Sequence, residues 1–256
     1  MVKYTRIINI FMILLEDVSL SIPIFTNETR QIKKSLVNSV TGGLLQRKSA
    51  EVTNILALKS INCEIKKGER VALIGHNGSG KTSFLKVISG IYFATKGLFK
   101  TNDNIFPMID KSFLTSTELS GLVAAKAQYL MVKKSVKGFD EYLEEIKEFS
   151  GIGDFIYLPL KTYSMGMEAR LLFSILTSFT HDCLALDEGF GAGDNDFYEK
   201  SEKKMNTFLK TVGTLIFASH SDDLLKRFCT RGLVFEKGTI VFDGTLEDAL
   251  DFYHEK

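Results

Sequence analysis

A chain of 256 residues, 45% apolar and 25% charged, can bury a substantial core and is too hydrophobic for a disordered or fibrous protein. Its 32 Lys and Arg against 31 Asp and Glu leave a net charge of +1, without the basic field that broad nucleic-acid binding needs. Cys63, Cys183 and Cys229 are odd in number, widely spaced and form no CxxC, so they read as reduced thiols of a cytoplasmic protein rather than a disulfide frame.

Near the N-terminus, Lys3 and Arg6 precede an apolar run from Ile7 to Leu15 that superficially resembles a signal peptide. No small-x-small cleavage site follows, Glu16-Asp17 closes the run, and it falls far short of the roughly 20 residues of a membrane helix. Met12 to Ile24 is predicted to form an edge strand or strand pair, and no other segment is apolar enough to span a membrane. Thr26 to Thr53 reads as a long polar loop with a short helix at Gln31 to Val40. Leu56 to Ile65 and Arg70 to Ile74 read as strands around the turn Lys66-Lys67-Gly68-Glu69. The second is a continuous apolar run of the kind buried in a parallel sheet, and a helix over Lys81 to Ser89 follows it.

From about Thr115 to Thr180 the pattern turns helical. Phe139, Tyr142, Leu143, Ile146 and Phe149 recur at helical steps, as do Met167, Leu171, Leu172, Ile175, Leu176 and Phe179. Strand patterns return at Cys183 to Leu186 and Thr214 to Ala218, with a helix at Asp196 to Leu209 between them. A hairpin over Leu233 to Phe242, turning at Lys237-Gly238, precedes a short final helix. The order is an α/β core, a helical insertion, then the core again.

Gly75-His76-Asn77-Gly78-Ser79-Gly80-Lys81-Thr82 fits GxxxxGK[ST] in the context that pattern requires, a buried strand before it and a helix after it. Glycines permit positive φ, so successive N–H groups turn inward around phosphate oxygens beside a helix N-terminus. Lys81 would place a charge near the β and γ phosphates and the Thr82 hydroxyl would ligate Mg²⁺, with Ser83 completing the nucleotide-binding stretch. His76 reads as a loop residue. Asp187-Glu188 ends the apolar strand Cys183-Leu184-Ala185-Leu186, where an α/β sheet builds its site. Such an ending is common by itself; together with a phosphate loop it assigns Asp187 to Mg²⁺ through water and Glu188 to polarising the attacking water. His220 ends a further strand, where it would reach the γ phosphate, although a lone His is usually structural.

With these residues in place, the chain resembles the nucleotide-binding subunit of ABC transporters, over nearly its whole length. The helical insertion, a signature before the acidic strand and the terminal His carry the resemblance. Where the family reads Leu-Ser-Gly-Gly-Gln, this chain has Tyr163-Ser164-Met165-Gly166-Met167. The resemblance implies a phosphate-loop core with an antiparallel β subdomain (about residues 1–112 and 180–256) and an α-helical subdomain at about 113–179. Some exporters of this type append a C-terminal sugar-binding domain, and none is expected here, where the sequence stops at Lys256 just after the terminal helix. It also implies that the signature binds the ATP held by a second copy, that Asp194 is the dimer turn residue, and that ATP and Mg²⁺ are bound. A membrane permease is the expected partner, which places the chain in the cytoplasm on the inner face of the membrane without inserting into it.

Tyr-Ser-x-Gly-Met, Gly-Ala-Gly-Asp at Gly191 to Asp194 and Ala-Ser-His-Ser at Ala218 to Ser221 are similar to the subfamily that exports O-antigen, capsule or teichoic acid. Met165 stands where a small residue is usual, and Asp110 where the magnesium-sensing loop carries Gln. Phe25 is assigned to stack on adenine, against the competing reading of a core or surface aromatic. The alternatives to an export motor are a soluble ABC-type ATPase of translation or repair and a slow regulatory subunit. Translation ATPases usually pair two cassettes through a basic linker, and repair ATPases insert long heptad runs; this chain has one cassette and neither feature.

Overall fold

The computed structural model describes residues 11–24, 53–109, 116–187 and 195–255. Among them, two sheets hold the α/β part. The smaller, of order β2-β1-β4, joins β1 (Phe11–Ile24), β2 (Thr53–Lys66) and β4 (Lys96–Thr101) in antiparallel pairs. The larger follows the order β5-β6-β7-β3-β8-β9. It contains β3 (Arg70–Ile74), β5 (Ile105–Met108), β6 (Cys183–Asp187), β7 (Thr214–Ala218), β8 (Arg231–Glu236) and β9 (Thr239–Thr245). Its first five strands in that order run parallel and β9 pairs antiparallel with β8.

One expectation is corrected here. The Met12–Ile24 segment is no edge strand: β1 is the middle strand of its sheet, paired on one side with β2 and on the other with β4. Its second partner, Lys96–Thr101, is rich in lysine and carries only Leu98 and Phe99 as large apolar residues, so it gives little strand signal. Strand β5 escapes notice for a related reason. It is short and contains Pro107, which a sheet tolerates at an edge, where this strand lies.

Alternation along the parallel strands divides the interior in two. Val71 and Leu73 of β3 face a core shared with the smaller sheet and with Phe84, Leu85, Val87 and Ile88 of helix α1 (Lys81–Ile88). Ala72 and Ile74 face the opposite side. There the cover comes from helices α5 (Asn195–Thr211), α6 (Asp222–Phe228) and α7 (Leu246–His254). Both faces being covered explains why these strands read as unbroken apolar runs.

The helical region comprises α2 (Gly121–Lys133), α3 (Phe139–Ser150) and α4 (Met165–Leu176), with two short 3-10 turns before α4. Helix α4 belongs to two cores at once. Leu171 and Ile175 pack with Tyr129, Tyr142, Leu143 and Ile146 of the helical cluster, while Leu172 and Leu176 pack against the sheet. A helix apolar on most of its circumference is one buried on several sides, and here it ties the insertion to the sheet. A further seam lies at α5, where Phe197 meets Phe149 edge-on at 5.4 Å and Phe173 at 5.9 Å, and Lys204 sits 4.0 Å over the Phe149 ring. Cys63, Cys183 and Cys229 are all free and buried, and burial pushes each thiol up to about 12. Among the described residues no helix is long and apolar enough to cross a membrane.

Candidate nucleotide site

Sheet register assembles the site. Leu73 lies opposite Ala218, and Ala218 opposite Asp187, so the C-terminal ends of β3, β7 and β6 form one row. The chain leaves this row as the Gly75–Gly80 loop, as Ser219-His220 and beyond Asp187, at the sheet edge where parallel α/β folds bind ligands.

The loop takes its shape from its glycines. Gly75, Gly78 and Gly80 have φ of 146°, 79° and 115°, which side-chain-bearing residues adopt only under strain. At Gly75 the space is closed as well: a Cβ would fall 2.5 Å from the Phe235 carbonyl oxygen and 2.7 Å from Ser79 Oγ. Lys81, buried at the start of α1, turns back over the loop and donates to the carbonyl oxygens of Gly75 and of His76, the latter at 3.2 Å. The Thr82 hydroxyl donates to Asp187 Oδ2 at 2.7 Å, bridging the first turn of α1 to the end of β6. His220 Nε2 lies 3.0 Å from Asn77 Oδ1; with the amide oxygen accepting, Nε2 carries the hydrogen.

These residues line one cleft of about 510 Å³, within the size range of small-molecule sites. Asn77 to Ser83, Asp187 and His220 form its polar side. Ile22, Ile55, Leu56 and Ala57 form an apolar side, and Lys59, Lys237 and Gly238 close it. A nucleoside triphosphate fits this division: a glycine cradle that a Cβ would obstruct, a lysine and a Thr–Asp pair for phosphates and Mg²⁺, and an aliphatic wall for a base. Ser79 Oγ adds a buried hydroxyl with no partner inside the loop. Patterns of spacing did not single out Ile22, Ile55, Lys59 or Lys237 as site residues, and Lys237-Gly238 was legible only as a turn.

The signature residues stand apart from this cleft, none of Tyr163 to Met167 lining it. Ser164 caps α4, its Oγ accepting from Met167 N–H at 3.2 Å, which leaves the hydroxyl hydrogen to donate elsewhere. Met165, the first residue of α4, is 84% exposed. Tyr163 is anchored by its hydroxyl to the Phe155 carbonyl oxygen at 2.7 Å. Phe25, Asp110, Glu188 and Asp194, with the expected Gln31–Val40 helix, lie outside the described residues.

Comparison with known proteins agrees with this geometry. The ABC transporter family model matches residues 58–191. The O-antigen export system ATP-binding protein RfbE of Yersinia enterocolitica is 36% identical over 89% of this chain and 95% of its own length. Teichoic acids export ATP-binding proteins TagH are also similar. That of Bacillus anthracis is 35% identical over 78% of this chain, and that of Listeria monocytogenes 32% over 94%. The chain spans 36% and 69% of those two relatives' lengths. Among solved structures, a dimeric ATP-binding cassette in a post-hydrolysis state with ADP and Pi aligns at a TM-score of 0.63 and 17% identity, over 92% of this chain and 99% of that one. With a phosphate loop and an acidic strand end in one cleft, and relatives matched over nearly the full chain, this protein belongs to the ABC transporter family as one of its ATP-hydrolysing subunits.

Proposed function

We propose that the chain is the ATP-driven subunit of an exporter for a cell-surface polysaccharide of the O-antigen, capsular or teichoic acid kind. The observation that carries the ATPase is the Thr82–Asp187 hydrogen bond beside the glycine cradle. The match to an O-antigen export relative, over 89% of this chain and 95% of that one, supports the cargo. In this reading the loop N–H groups and Lys81 hold the phosphates, and Thr82 and Asp187 hold Mg²⁺, which would neutralise charge developing on the β and γ oxygens. Glu188 orients and deprotonates the attacking water, and His220 turns from Asn77 toward the γ phosphate. Ile22 and Ile55, with Phe25, bear on the base.

Ser164 and the α4 N-terminus do not line their own cleft, which supports an ATP shared between two copies, closed by the signature of the second. Asp194 would sit at the dimer turn. A membrane permease would dock where the helical insertion meets the core, around Ile109 to Gly121. Leu119, Phe155, Tyr157 and Leu158 are exposed there, drawn together by the Leu160 N–H to Leu119 oxygen bond and the Ser120–Pro159 pairing. The subunit itself would remain cytoplasmic and peripheral. Deleting its gene in the source organism is expected to abolish surface polysaccharide and accumulate the polymer inside the cell, with rescue by the wild-type gene and none by Lys81→Ala. Unchanged surface polysaccharide would refute the cargo assignment.

Met165 bears on the rate. Its thioether projects from the helix end that must approach the other copy's γ phosphate, and excess bulk at a closing contact typically costs about 1–3 kcal/mol. Met165→Ser is expected to raise steady-state ATP turnover about five-fold, as about 1 kcal/mol of relief requires. An unchanged or lower turnover in a coupled phosphate-release assay would mean that the methionine does not limit closure.

A further inference from the structure

The β8–β9 turn borders the cleft beside the phosphate loop and touches the loop at both ends. At one end the carbonyl oxygen of Phe235 occupies the space that only a glycine at position 75 leaves open. At the other, Gly238 N–H donates to the Ser79 carbonyl oxygen at 2.8 Å, and a Cβ on Gly80 would come within 3.3 Å of Gly238 Cα. Gly238 is held in turn from the smaller sheet: its carbonyl oxygen accepts from Lys59 N–H at 2.8 Å, and any Cβ on it would fall 2.7 Å from the Ala57 carbonyl oxygen. One glycine thus joins strand β2, the β8–β9 hairpin and the phosphate loop.

We infer that Gly238 is a positioning residue for phosphate binding, acting through the Ser79–Gly80 peptide. In a planar trans peptide the carbonyl and the following N–H point in opposite directions. Fixing the Ser79 carbonyl on the turn therefore fixes the Gly80 N–H facing away from it, and a flip of this peptide would reverse a donor that the phosphates need. The turn is shaped for this task, with positive φ at both central residues, 48° at Lys237 and 83° at Gly238. That is the twist of a two-residue hairpin with primed geometry, for which Asn-Gly is the preferred pair. Thr239 Oγ1 closes it by donating to the Glu236 carbonyl oxygen at 2.8 Å.

The inference rests on the ATP-site reading, and the experiment separates the two. The full chain and its Gly238→Ala and Gly68→Ala variants are titrated with a fluorescent ADP analogue and Mg²⁺, and ATP turnover is measured in parallel. Gly68→Ala puts the same kind of positive-φ strain (φ 86°) into a turn with open space that does not line the cleft, so its affinity should stay within about two-fold of wild type. Gly238→Ala must move away from Ala57 and release Ser79; affinity should fall about ten-fold and KM rise to match, the loss of about one hydrogen bond, with kcat per folded chain nearly unchanged. A Gly238→Ala protein that binds like wild type, or one that loses kcat at constant KM, overturns the inference; a wild-type chain that fails to bind the analogue overturns the ATP-site reading instead. If Gly238→Ala does not fold, hydrogen exchange on the wild type decides: the Gly238 and Lys59 amides should slow about ten-fold on binding the analogue, and unchanged exchange counts against the proposal.

Discussion

Glu188→Gln is expected to lower ATP turnover by about 10²–10⁴-fold while leaving nucleotide affinity within a few-fold of wild type. The reasoning starts from Asp187, whose carboxylate accepts the Thr82 hydroxyl and is thereby fixed at the metal position. Glu188 is the next residue along the chain after Asp187, the last residue of β6, and is the nearest remaining carboxylate in sequence to that position. A glutamine preserves its size and most of its hydrogen bonding but cannot take a proton from water. The step removed is chemical, so ATP should bind, draw two copies together and remain. The variant should elute as a dimer with ATP and Mg²⁺, while wild type returns to monomer as it hydrolyses. Turnover at the wild-type rate would remove Glu188 from the role of base.

Lys81→Ala should act on binding instead. The buried ammonium is held over the loop by the carbonyl oxygens of Gly75 and His76, aimed at the place where the β and γ phosphates would lie. A charge-assisted hydrogen bond of this kind is worth about 1.5–3 kcal/mol, so nucleotide dissociation constants should rise about 10–150-fold. The fold should tolerate the change better than the ligand does. The two carbonyl oxygens can accept from water, and about 1 kcal/mol or less of unfolding free energy is at stake. Isothermal titration with ADP and urea unfolding read the two quantities separately. An equal loss in both would make Lys81 a structural residue first.

Much of this site was readable because its chemistry is local in sequence. The loop needs glycines at fixed positions for φ near 146° and 115°, a buried strand before it and a helix after it, and all three requirements fall within one short stretch, Arg70 to Ile88. The end of β6 was readable because burial on both faces leaves an apolar run with an abrupt carboxylate ending. What escaped depends on distant pairing. Nothing in Met12–Ile24 reveals that Lys96–Thr101 will lie beside it, which made a central strand look like an edge. Pro107 hid β5 for want of a rule about where in the sheet it would fall. The role of Lys237-Gly238 was invisible for the same reason: its turn chemistry is local, but the loop it supports lies more than 150 residues earlier.

The three buried thiols have a practical consequence for following this motor at work. Maleimides react with thiolates, and Cys63, Cys183 and Cys229 are both shielded from solvent and held far from ionisation at neutral pH. The native chain therefore needs no cysteine removed before a probe is attached elsewhere. A single cysteine in place of exposed Lys67, or of Tyr198 on the outer face of α5, would carry the only reactive sulfur in the protein. Two copies labelled at such a position would report their approach and separation by energy transfer, turning each cycle of ATP use into an optical signal.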